Sequence, residues 1–148
     1  MNSKYLIVVA GPTAVGKTDF AIRLARHFHT EIINADSRQV YREMIIGTAV
    51  PSSEQLAAAK HYFIGHRSIR DHYNASIFEV EAIALLDDLF RRFNTVIMAG
   101  GSGLYINAVC KGIDDIPSVS MQVRNQLQSE YARIGLPGIL SMLQEADP

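Results

Sequence analysis

The sequence feature that most restricts the fold is a glycine-rich stretch close to the N-terminus. Residues 11–18 read GPTAVGKT and fit the pattern G-x-x-x-x-G-K-[ST]. A continuous apolar run, residues 5–10, comes directly before them, and apolar residues recur at helical spacing over residues 20–28. A strand, a glycine-rich loop and a helix in this order are typical of a P-loop. They predict an α/β fold that binds a ligand with a di- or triphosphate.

The chemistry of phosphate binding explains the spacing of this loop. Glycines let the backbone wrap around a phosphate group, so that N–H groups and the positive end of the following helix point at it. Lys17 is expected to neutralise the terminal phosphate oxygens, and the hydroxyl of Thr18 to ligate Mg²⁺. The pattern fits ATP as well as another diphosphate. The predicted phosphate-binding residues are Gly11, Pro12, Thr13, Ala14, Val15, Gly16, Lys17 and Thr18.

Further apolar runs and helical patterns extend this architecture along the chain. We predict a P-loop NTPase-like parallel sheet flanked by helices, with the crossover connections of an α/β fold. The predicted strands are residues 5–10, 31–34, 62–64 and 95–99. The predicted helices are residues 20–28, 52–60, 76–92, a segment after Gly103, 121–134 and 139–145.

The character of the sequence changes after residue 117. Residues 1–117 contain all the predicted strands and are expected to form the P-loop α/β core. From residue 118 onward only helical patterns follow, with a break at residues 135–138. We therefore predict that residues 118–148 begin a helical insertion or appendage. Because no strand closes this part, the chain is expected to be truncated.

An acidic residue at a strand end is the second candidate for chemistry. A P-loop NTPase usually ends another strand in an Asp that helps to hold Mg²⁺, but the strand at residues 95–99 is followed by GGSG. Asp36 instead follows the second strand, where the C-terminal edge of a parallel sheet would direct it at the ligand crevice. It could contact an acceptor substrate there. Asp36, followed by Ser37, could equally cap a helix.

Composition limits the class of protein and its surroundings. Of the 148 residues, 48% are hydrophobic and 20% charged, and the net charge is −1. These values predict a soluble globular domain without the basic balance that favours nucleic acid. The apolar run at residues 5–10 is too short to span a membrane, and the single cysteine, Cys110, excludes an internal disulfide, so a cytoplasmic protein is expected. Cys110 itself lies in an apolar-leaning run, where we expect a buried small side chain.

Two polar clusters are interpreted as structural. His61, His66 and His72 lie among basic residues and match no zinc-binding spacing. They predict a solvated basic loop, with contact to backbone phosphates as the alternative. Asp114 and Asp115 come shortly before a proline and predict a turn.

Three segments together resemble one known family. Residues 11–18, residues 34–41 (NADSRQVY) with GTA at 47–49, and residues 100–105 (GGSGLY) closely resemble the tRNA dimethylallyltransferases, the tRNA isopentenyltransferase family. P-loop kinases share the first segment but not the other two. The resemblance continues through GIDDIP at residues 112–117 and so covers essentially the whole chain.

This resemblance implies a reaction and a set of partners. The family transfers a dimethylallyl group from its diphosphate to N6 of the adenine beside the tRNA anticodon. The P-loop would then hold a leaving diphosphate, with Mg²⁺ as the cofactor. The implied partners are dimethylallyl diphosphate and the anticodon stem-loop of tRNA; no membrane partner is expected, and a monomer is favoured. The family has a further C-terminal portion that these 148 residues lack.

The same matching implies roles for individual residues. Asp36 matches the catalytic base that would take a proton from the adenine amine, and Lys17 and Thr18 complete the catalytic set. The residues matched to contacts with the flipped-out adenosine or with other parts of the tRNA are Asp36, Ser37, Arg38, Gln39, Ser102 and Arg124.

Two interpretations from other classes stay open. One is a P-loop small-molecule kinase, in which Asp36 accepts the proton of a substrate hydroxyl and ATP is consumed. The other is a nucleotide-binding module without catalysis, which fits the missing C-terminal portion. Release of pyrophosphate that requires both prenyl diphosphate and tRNA would distinguish the transferase from both.

Overall fold

The computed structural model describes residues 3–113 and 119–147. The chain divides into two units, Met1–Ile113 and Asp114–Pro148. The turn predicted at Asp114 and Asp115 lies outside the described residues, and so does the predicted boundary between residues 117 and 118.

A four-stranded parallel sheet forms the centre of the first unit. The elements of this unit are β1 (Tyr5–Ala10), α1 (Lys17–Phe28), β2 (Ile32–Asn34), α2 (Ser53–Ala58), β3 (His61–Tyr62), α3 (Ala75–Arg92), β4 (Thr95–Gly100) and α4 (Gly103–Lys111). The strand order is β1-β4-β2-β3, and each neighbouring pair is parallel. Helices connect the strands, as a parallel sheet requires. The predicted α/β fold with a parallel sheet flanked by helices is confirmed.

Alternating side chains along β2 and β4 build a core on each face of the sheet. Ile32 and Ile97 pack against α1 on one face. Ile33 and Met98 pack on the other face, where Phe78 of α3 is fully buried. Because successive residues of a strand point to opposite faces, a strand covered on both faces must be apolar throughout. This explains the apolar run of β4, whereas β1 at the edge of the sheet has an apolar run but no buried residue.

Two predictions about helices need correction. Helix α3 begins at Ala75 rather than at Ser76, because the side chain of Asn74 accepts a hydrogen bond from the N–H of Ile77 and caps the first turn. Cys110 on α4 is exposed rather than buried. Helix α4 instead buries Tyr105, which lies on a different side of the helix.

The strand order brings three loops to one edge of the sheet. The loops that follow β1, β4 and β2 lie side by side, because the carboxyl ends of parallel strands share an edge. The N–H of Ala35 donates to the carbonyl of Ala99 (2.8 Å), and the N–H of Ser102 donates to the carbonyl of Ala35 (3.2 Å). A Cβ at Gly100 would lie 2.1 Å from the Ala35 carbonyl oxygen. Only glycine therefore permits this approach of two backbones.

A network of charges at the opposite end of β2 makes stability depend on pH. Glu31 accepts hydrogen bonds from the Tyr62 hydroxyl (2.6 Å) and from Arg92 (3.3 Å), and Lys60 Nζ lies 3.8 Å away. Burial alone would raise the pKa of Glu31, but these hydrogen bonds and charges together lower it below 4.5.

We expect Glu31→Gln to lower the melting temperature at pH 7 but not near pH 2. A carboxylate whose pKa is lowered by folding stabilises the fold above its unfolded pKa, and this contribution is lost as the pH falls through the folded pKa. Thermal unfolding followed by circular dichroism at several pH values measures the effect. An equally lowered melting temperature at every pH would contradict the stabilising role of the Glu31 charge.

The second unit is helical and contains one break. Helix α5 spans Met121–Ala146, and the Ser120 side chain caps it by accepting from the N–H of Val123 (3.4 Å). Gly135 has a non-helical backbone, with φ 68° and ψ −178°, so α5 consists of two helices joined at a kink. The break predicted at residues 135–138 is confirmed. Within the described parts of the chain, no helix combines the length and the apolar character needed to cross a membrane.

Candidate functional site

A cavity of about 370 Å³ lies in the first unit where the three loops meet. It extends from the glycine-rich loop between α1 and the sheet, towards α2 and the start of β3. Of the predicted site residues, seven line it: Thr13, Ala14, Gly16, Lys17, Thr18, Asp36 and Gln39. The predicted phosphate-binding loop and Asp36, which were found from separate patterns, therefore share one cavity.

The glycine-rich loop leads directly into the N-terminus of α1. Gly16 is the residue before the helix and has φ 84°, in the left-handed region that favours glycine. A Cβ there would meet no atom within 4 Å, so backbone conformation rather than crowding requires the glycine. In the described part of the chain no side chain caps this helix, and its first N–H groups and positive end can face an anion. Lys17 Nζ donates to the Pro12 carbonyl within the loop.

Asp36 lies at the cavity, and it caps a turn rather than the helix that was the alternative interpretation. Its Oδ1 accepts hydrogen bonds from the N–H groups of Arg38 (3.0 Å) and Gln39 (3.3 Å), so the carboxylate caps the turn that follows β2. The same side chain lines the cavity. Among the described residues, no hydrogen bond is made to its Oδ2. One oxygen is thus held by the backbone while the other is free to accept a proton.

Ser102 joins the loop after β4 to the loop after β2. Its Oγ accepts a hydrogen bond from the N–H of Ser37 (2.8 Å) and donates to the Ser37 hydroxyl (3.1 Å). These two serines lie beside the cavity and do not line it. Their predicted contact with tRNA stays a prediction, and the contact described here fixes Asp36 relative to β4.

Gln39 is buried and connects the cavity to the next loop. Its Nε2 donates to the carbonyls of Thr48 (2.8 Å) and Ala49 (3.0 Å). Both amide hydrogens therefore have partners within the protein, and a ligand in the cavity could use only its side-chain oxygen.

The remaining predicted residues do not line the cavity. Arg38 is exposed and contributes its backbone N–H to the turn at Asp36. Arg124 is exposed on α5 and belongs to the second unit. In the glycine-rich loop, the three residues outside the cavity lining are Gly11, Pro12 and Val15.

Four polar residues that the sequence patterns did not indicate also line the cavity, and one of them is Asp19 in the first turn of α1. Asn34 is the last residue of β2, Gln55 lies on α2, and His61 begins β3. Gln55 Nε2 donates to Asp19 Oδ1 (2.7 Å) and so joins α2 to the first turn of α1. The strand-end rule that selected Asp36 could have found Asn34 two residues earlier. No local pattern places α2 over the cavity, so Gln55 had no sequence signal.

The predicted solvated loop at the histidines is wrong for His61, whereas His66 and His72 are exposed. His61 is partly buried in the sheet, and its Nδ1 lies 2.9 Å from the Ala59 carbonyl. Because a carbonyl only accepts, Nδ1 carries the proton. Burial lowers the pKa of His61, although this hydrogen bond opposes the change. His66 also contacts protein, since its Nε2 lies 3.6 Å from Glu81. The segment at residues 61–66 therefore packs against the core. The basic residues in and around it had suggested a solvated loop instead.

The sheet, the loop and the cavity together define a class of protein. A glycine-rich loop between the first strand and first helix of a parallel sheet, at the carboxyl edge of that sheet, is the arrangement of P-loop NTPase-like folds. Within this class, GGSG follows the strand that usually ends in a magnesium-binding Asp. This departure separates the chain from ordinary P-loop NTPases.

Comparison with known proteins identifies the family. The family model described as IPP transferase matches residues 39–148, so the chain belongs to the IPP transferase family. The tRNA dimethylallyltransferase 2 of Parabacteroides distasonis is 49% identical over 148 residues, which are 100% of this chain and 49% of the relative. The tRNA dimethylallyltransferase 2 of Porphyromonas gingivalis is 50% identical over 97% of this chain and 48% of its own length. The chain thus spans about half the length of the curated relatives it matches.

Solved structures agree with this membership. The full-length tRNA isopentenylpyrophosphate transferase of Bacillus halodurans superposes with a TM-score of 0.73 and 31% identity, covering 99% of this chain and 48% of that protein. A eukaryotic dimethylallyltransferase acting on tRNA gives a TM-score of 0.70 and 31% identity, over 81% of this chain and 31% of its own.

Proposed function

We propose that the protein transfers a dimethylallyl group from dimethylallyl diphosphate to N6 of the adenine beside the anticodon of tRNA. The observation that carries this proposal is the shared cavity of the P-loop and Asp36 in a member of the IPP transferase family. A group that can hold a diphosphate and a group that can accept a proton are the two requirements of the reaction. We further propose that the reaction takes place in the cytoplasm.

The P-loop would stabilise the leaving diphosphate. An allylic C–O bond breaks readily when the charge that develops on the diphosphate is neutralised. The start of α1 and the side chain of Lys17 line the cavity, and their N–H and ammonium groups would neutralise this charge. On binding, Lys17 would exchange the carbonyl of Pro12 for a phosphate oxygen.

Asp36 would accept the proton that the adenine amine loses as the new C–N bond forms. An aromatic amine is a weak nucleophile, so a carboxylate within reach of its proton assists the attack. The backbone holds Oδ1 and leaves Oδ2 for this task. The adenine would have to leave its stack to enter the cavity. We propose contacts of the tRNA with Ser37, Arg38, Gln39, Ser102 and Arg124.

The residues at the cavity also fit a magnesium ion. Mg²⁺ prefers oxygen ligands and usually takes only one or two from the protein, with substrate phosphates and waters supplying the rest. Thr18 is half-buried and lines the cavity, and its hydroxyl is such a ligand. We propose that Thr18 holds Mg²⁺ together with the diphosphate. Bound there, the ion would supply additional positive charge to the leaving group.

The function is tested by incubating the complete protein that carries this sequence with dimethylallyl diphosphate and unmodified tRNA. We expect prenylated adenosine by nucleoside mass analysis, with pyrophosphate released only when both substrates are present. Unmodified adenosine after this incubation would reject the proposal. Consumption of ATP with a small hydroxyl acceptor would support a P-loop kinase instead.

We expect Lys17→Ala to lower kcat/KM for dimethylallyl diphosphate about a hundredfold, because one charged donor to the leaving group is lost. Affinity for tRNA should change little. Lys4→Ala is the matched control, since Lys4 Nζ donates to the Phe93 carbonyl (2.9 Å) and to Asn94 (3.0 Å), beside the first residue of β1 rather than at the cavity. Equal losses in the two variants would remove Lys17 from the proposed site.

A further inference from the structure

A cluster of four polar side chains joins the segment at residues 66–73 to α3. Arg67 pairs with Oε1 of Glu81, and the Tyr73 hydroxyl donates to Oε2 of Glu81 (2.9 Å). His66 Nε2 lies 3.6 Å from the same carboxylate oxygen. The Arg67 guanidinium also lies over the Tyr73 ring, 5.1 Å from its centroid. We call these four residues the Glu81 cluster. None of them lines the cavity at the glycine-rich loop.

Glu81 is the acceptor on which this cluster depends. Tyr73 is 8% exposed, and burial and the bond to Glu81 raise its pKa, so it remains a neutral donor. Arg67 Nε is buried and has no hydrogen-bond partner among the described residues. The guanidinium therefore relies on Glu81 for its compensation. Removing the negative charge would leave a partly buried cation unpaired, which is more costly than losing an exposed ion pair.

The backbone of Arg67 connects this cluster to the site. Its N–H donates to the Val40 carbonyl (2.9 Å), and its carbonyl accepts from the N–H of Arg42 (2.9 Å). The N–H of Gly65 donates to the carbonyl of Gln39 (2.9 Å). The two bonds of Arg67 form an isolated parallel bridge between Tyr41 and Arg67, beyond the end of β3. The segment at residues 39–42 is thus bound to Arg67 and its neighbours immediately after the turn that Asp36 caps.

We propose that Glu81 is a positioning residue: by holding Arg67, it fixes the backbone of residues 36–42 and so places Asp36 and Gln39 at the cavity. Its catalytic meaning rests on the proposed function, whereas its effect on the backbone does not. The chain of contacts runs from the Glu81 carboxylate to the Arg67 side chain and from the Arg67 backbone to Val40. The turn at Asp36 then orients the oxygen that would accept the proton.

Hydrogen exchange tests the positioning without any assay of activity. Glu81→Gln removes the charge and keeps an acceptor for Tyr73. We expect amides at residues 36–42 to exchange about tenfold faster, because the bridge to Arg67 opens more often. Glu31→Gln is the matched control, because Glu31 also accepts from a tyrosine hydroxyl and an arginine. It should leave residues 36–42 unchanged.

Two results of this experiment would overturn the proposal. One is unchanged exchange at residues 36–42 in Glu81→Gln, and the other is a uniform increase along the whole chain, which would indicate a merely structural role. If Glu81→Gln does not fold, Tyr73→Phe retains the Arg67–Glu81 pair and removes one bond to the carboxylate. A smaller increase confined to the same segment is then expected, and no local increase would count against the proposal.

Kinetics of the complete protein provide the second test. We expect Glu81→Gln to lower kcat/KM for tRNA about tenfold, because the base and its neighbours are displaced, while KM for dimethylallyl diphosphate stays within about twofold. Equal changes for both substrates would overturn the positioning role. If the wild-type protein transfers no prenyl group, the proposed function fails, and hydrogen exchange alone still decides the role of Glu81.

Discussion

Replacing Asp36 with asparagine should lower the rate of prenyl transfer about a thousandfold, within the usual contribution of a general base. Asparagine retains an oxygen that can accept from the N–H groups of Arg38 and Gln39, so the turn after β2 keeps its cap. What the variant loses is the negative charge and the ability to take a proton. We therefore expect affinity for tRNA and for dimethylallyl diphosphate to stay within about threefold of wild type, with the loss in kcat.

The choice of asparagine over alanine follows from the geometry of the turn. Asp36→Ala would release two backbone N–H groups as well as remove the base, so a loss of activity could have either cause. Asp71→Asn is the control, because Asp71 Oδ2 also accepts from a backbone N–H, that of Ser68 (2.8 Å), and Asp71 does not line the cavity. Single-turnover kinetics with saturating substrates measure the chemical step. Undiminished turnover by Asp36→Asn would exclude Asp36 as the base.

The parts of the site that could be predicted are those with a local signature. The pattern of glycines in residues 11–18 is enough to predict the backbone conformation of the loop. Asp36 was predicted because it follows a strand of a parallel sheet. Their meeting in one cavity follows from the strand order, which places β4 between β1 and β2. The general rules for parallel sheets were therefore enough to predict that the glycine-rich loop and Asp36 lie at one site.

The parts that could not be predicted depend on contacts between residues far apart in sequence. Gln55 reaches the cavity because α2 packs near α1, through its bond to Asp19, and no periodicity encodes that contact. The pairing of Arg67 with Glu81 likewise joins a loop to a helix 14 residues later. In both cases the residue types indicated only exposed polar positions.

The wrong prediction for Cys110 has a simple geometric reason. An α-helix turns by about 100° per residue, so Cys110 lies about 140° around α4 from the buried Tyr105. The apolar character of the surrounding run suggested burial, but only one side of α4 faces α3 and the sheet. The number of apolar residues nearby in the sequence does not show which side of a helix is buried.

The glycine that ends β4 explains why this site lacks the acidic residue of ordinary P-loop NTPases. Gly100 is paired with Ala10 in the sheet and lies against the backbone of Ala35 on the other side. Any side chain at this position would push the end of β4 away from the loop that carries Asp36. The short distance between Gly100 and the backbone of Ala35 therefore leaves no room for a metal-binding side chain at the end of β4. The diphosphate would then depend on α1 and Thr18 rather than on an Asp at the end of β4.

Gly100→Ala should therefore lower the free energy of unfolding by about 3 kcal/mol and abolish prenyl transfer. The added Cβ would lie 2.1 Å from the Ala35 carbonyl oxygen and 2.4 Å from its carbonyl carbon, and backbone atoms cannot move aside as a flexible side chain can. Relief of the clash must displace Ala35, and with it Asp36. Chemical denaturation measures the stability, and hydrogen exchange at residues 34–37 locates the displacement.

Gly103→Ala is the matched control for this substitution. A Cβ at Gly103 meets no atom within 4 Å, and the residue begins α4 with an ordinary backbone conformation. Its stability should be unchanged or raised by up to about 1 kcal/mol, because alanine restricts the unfolded chain more than glycine does. Since the two variants add one methyl group at either end of the same short loop, a difference between them isolates the approach of Gly100 to Ala35. Similar stabilities and activities in the two variants would show that this approach does not hold Asp36 in place.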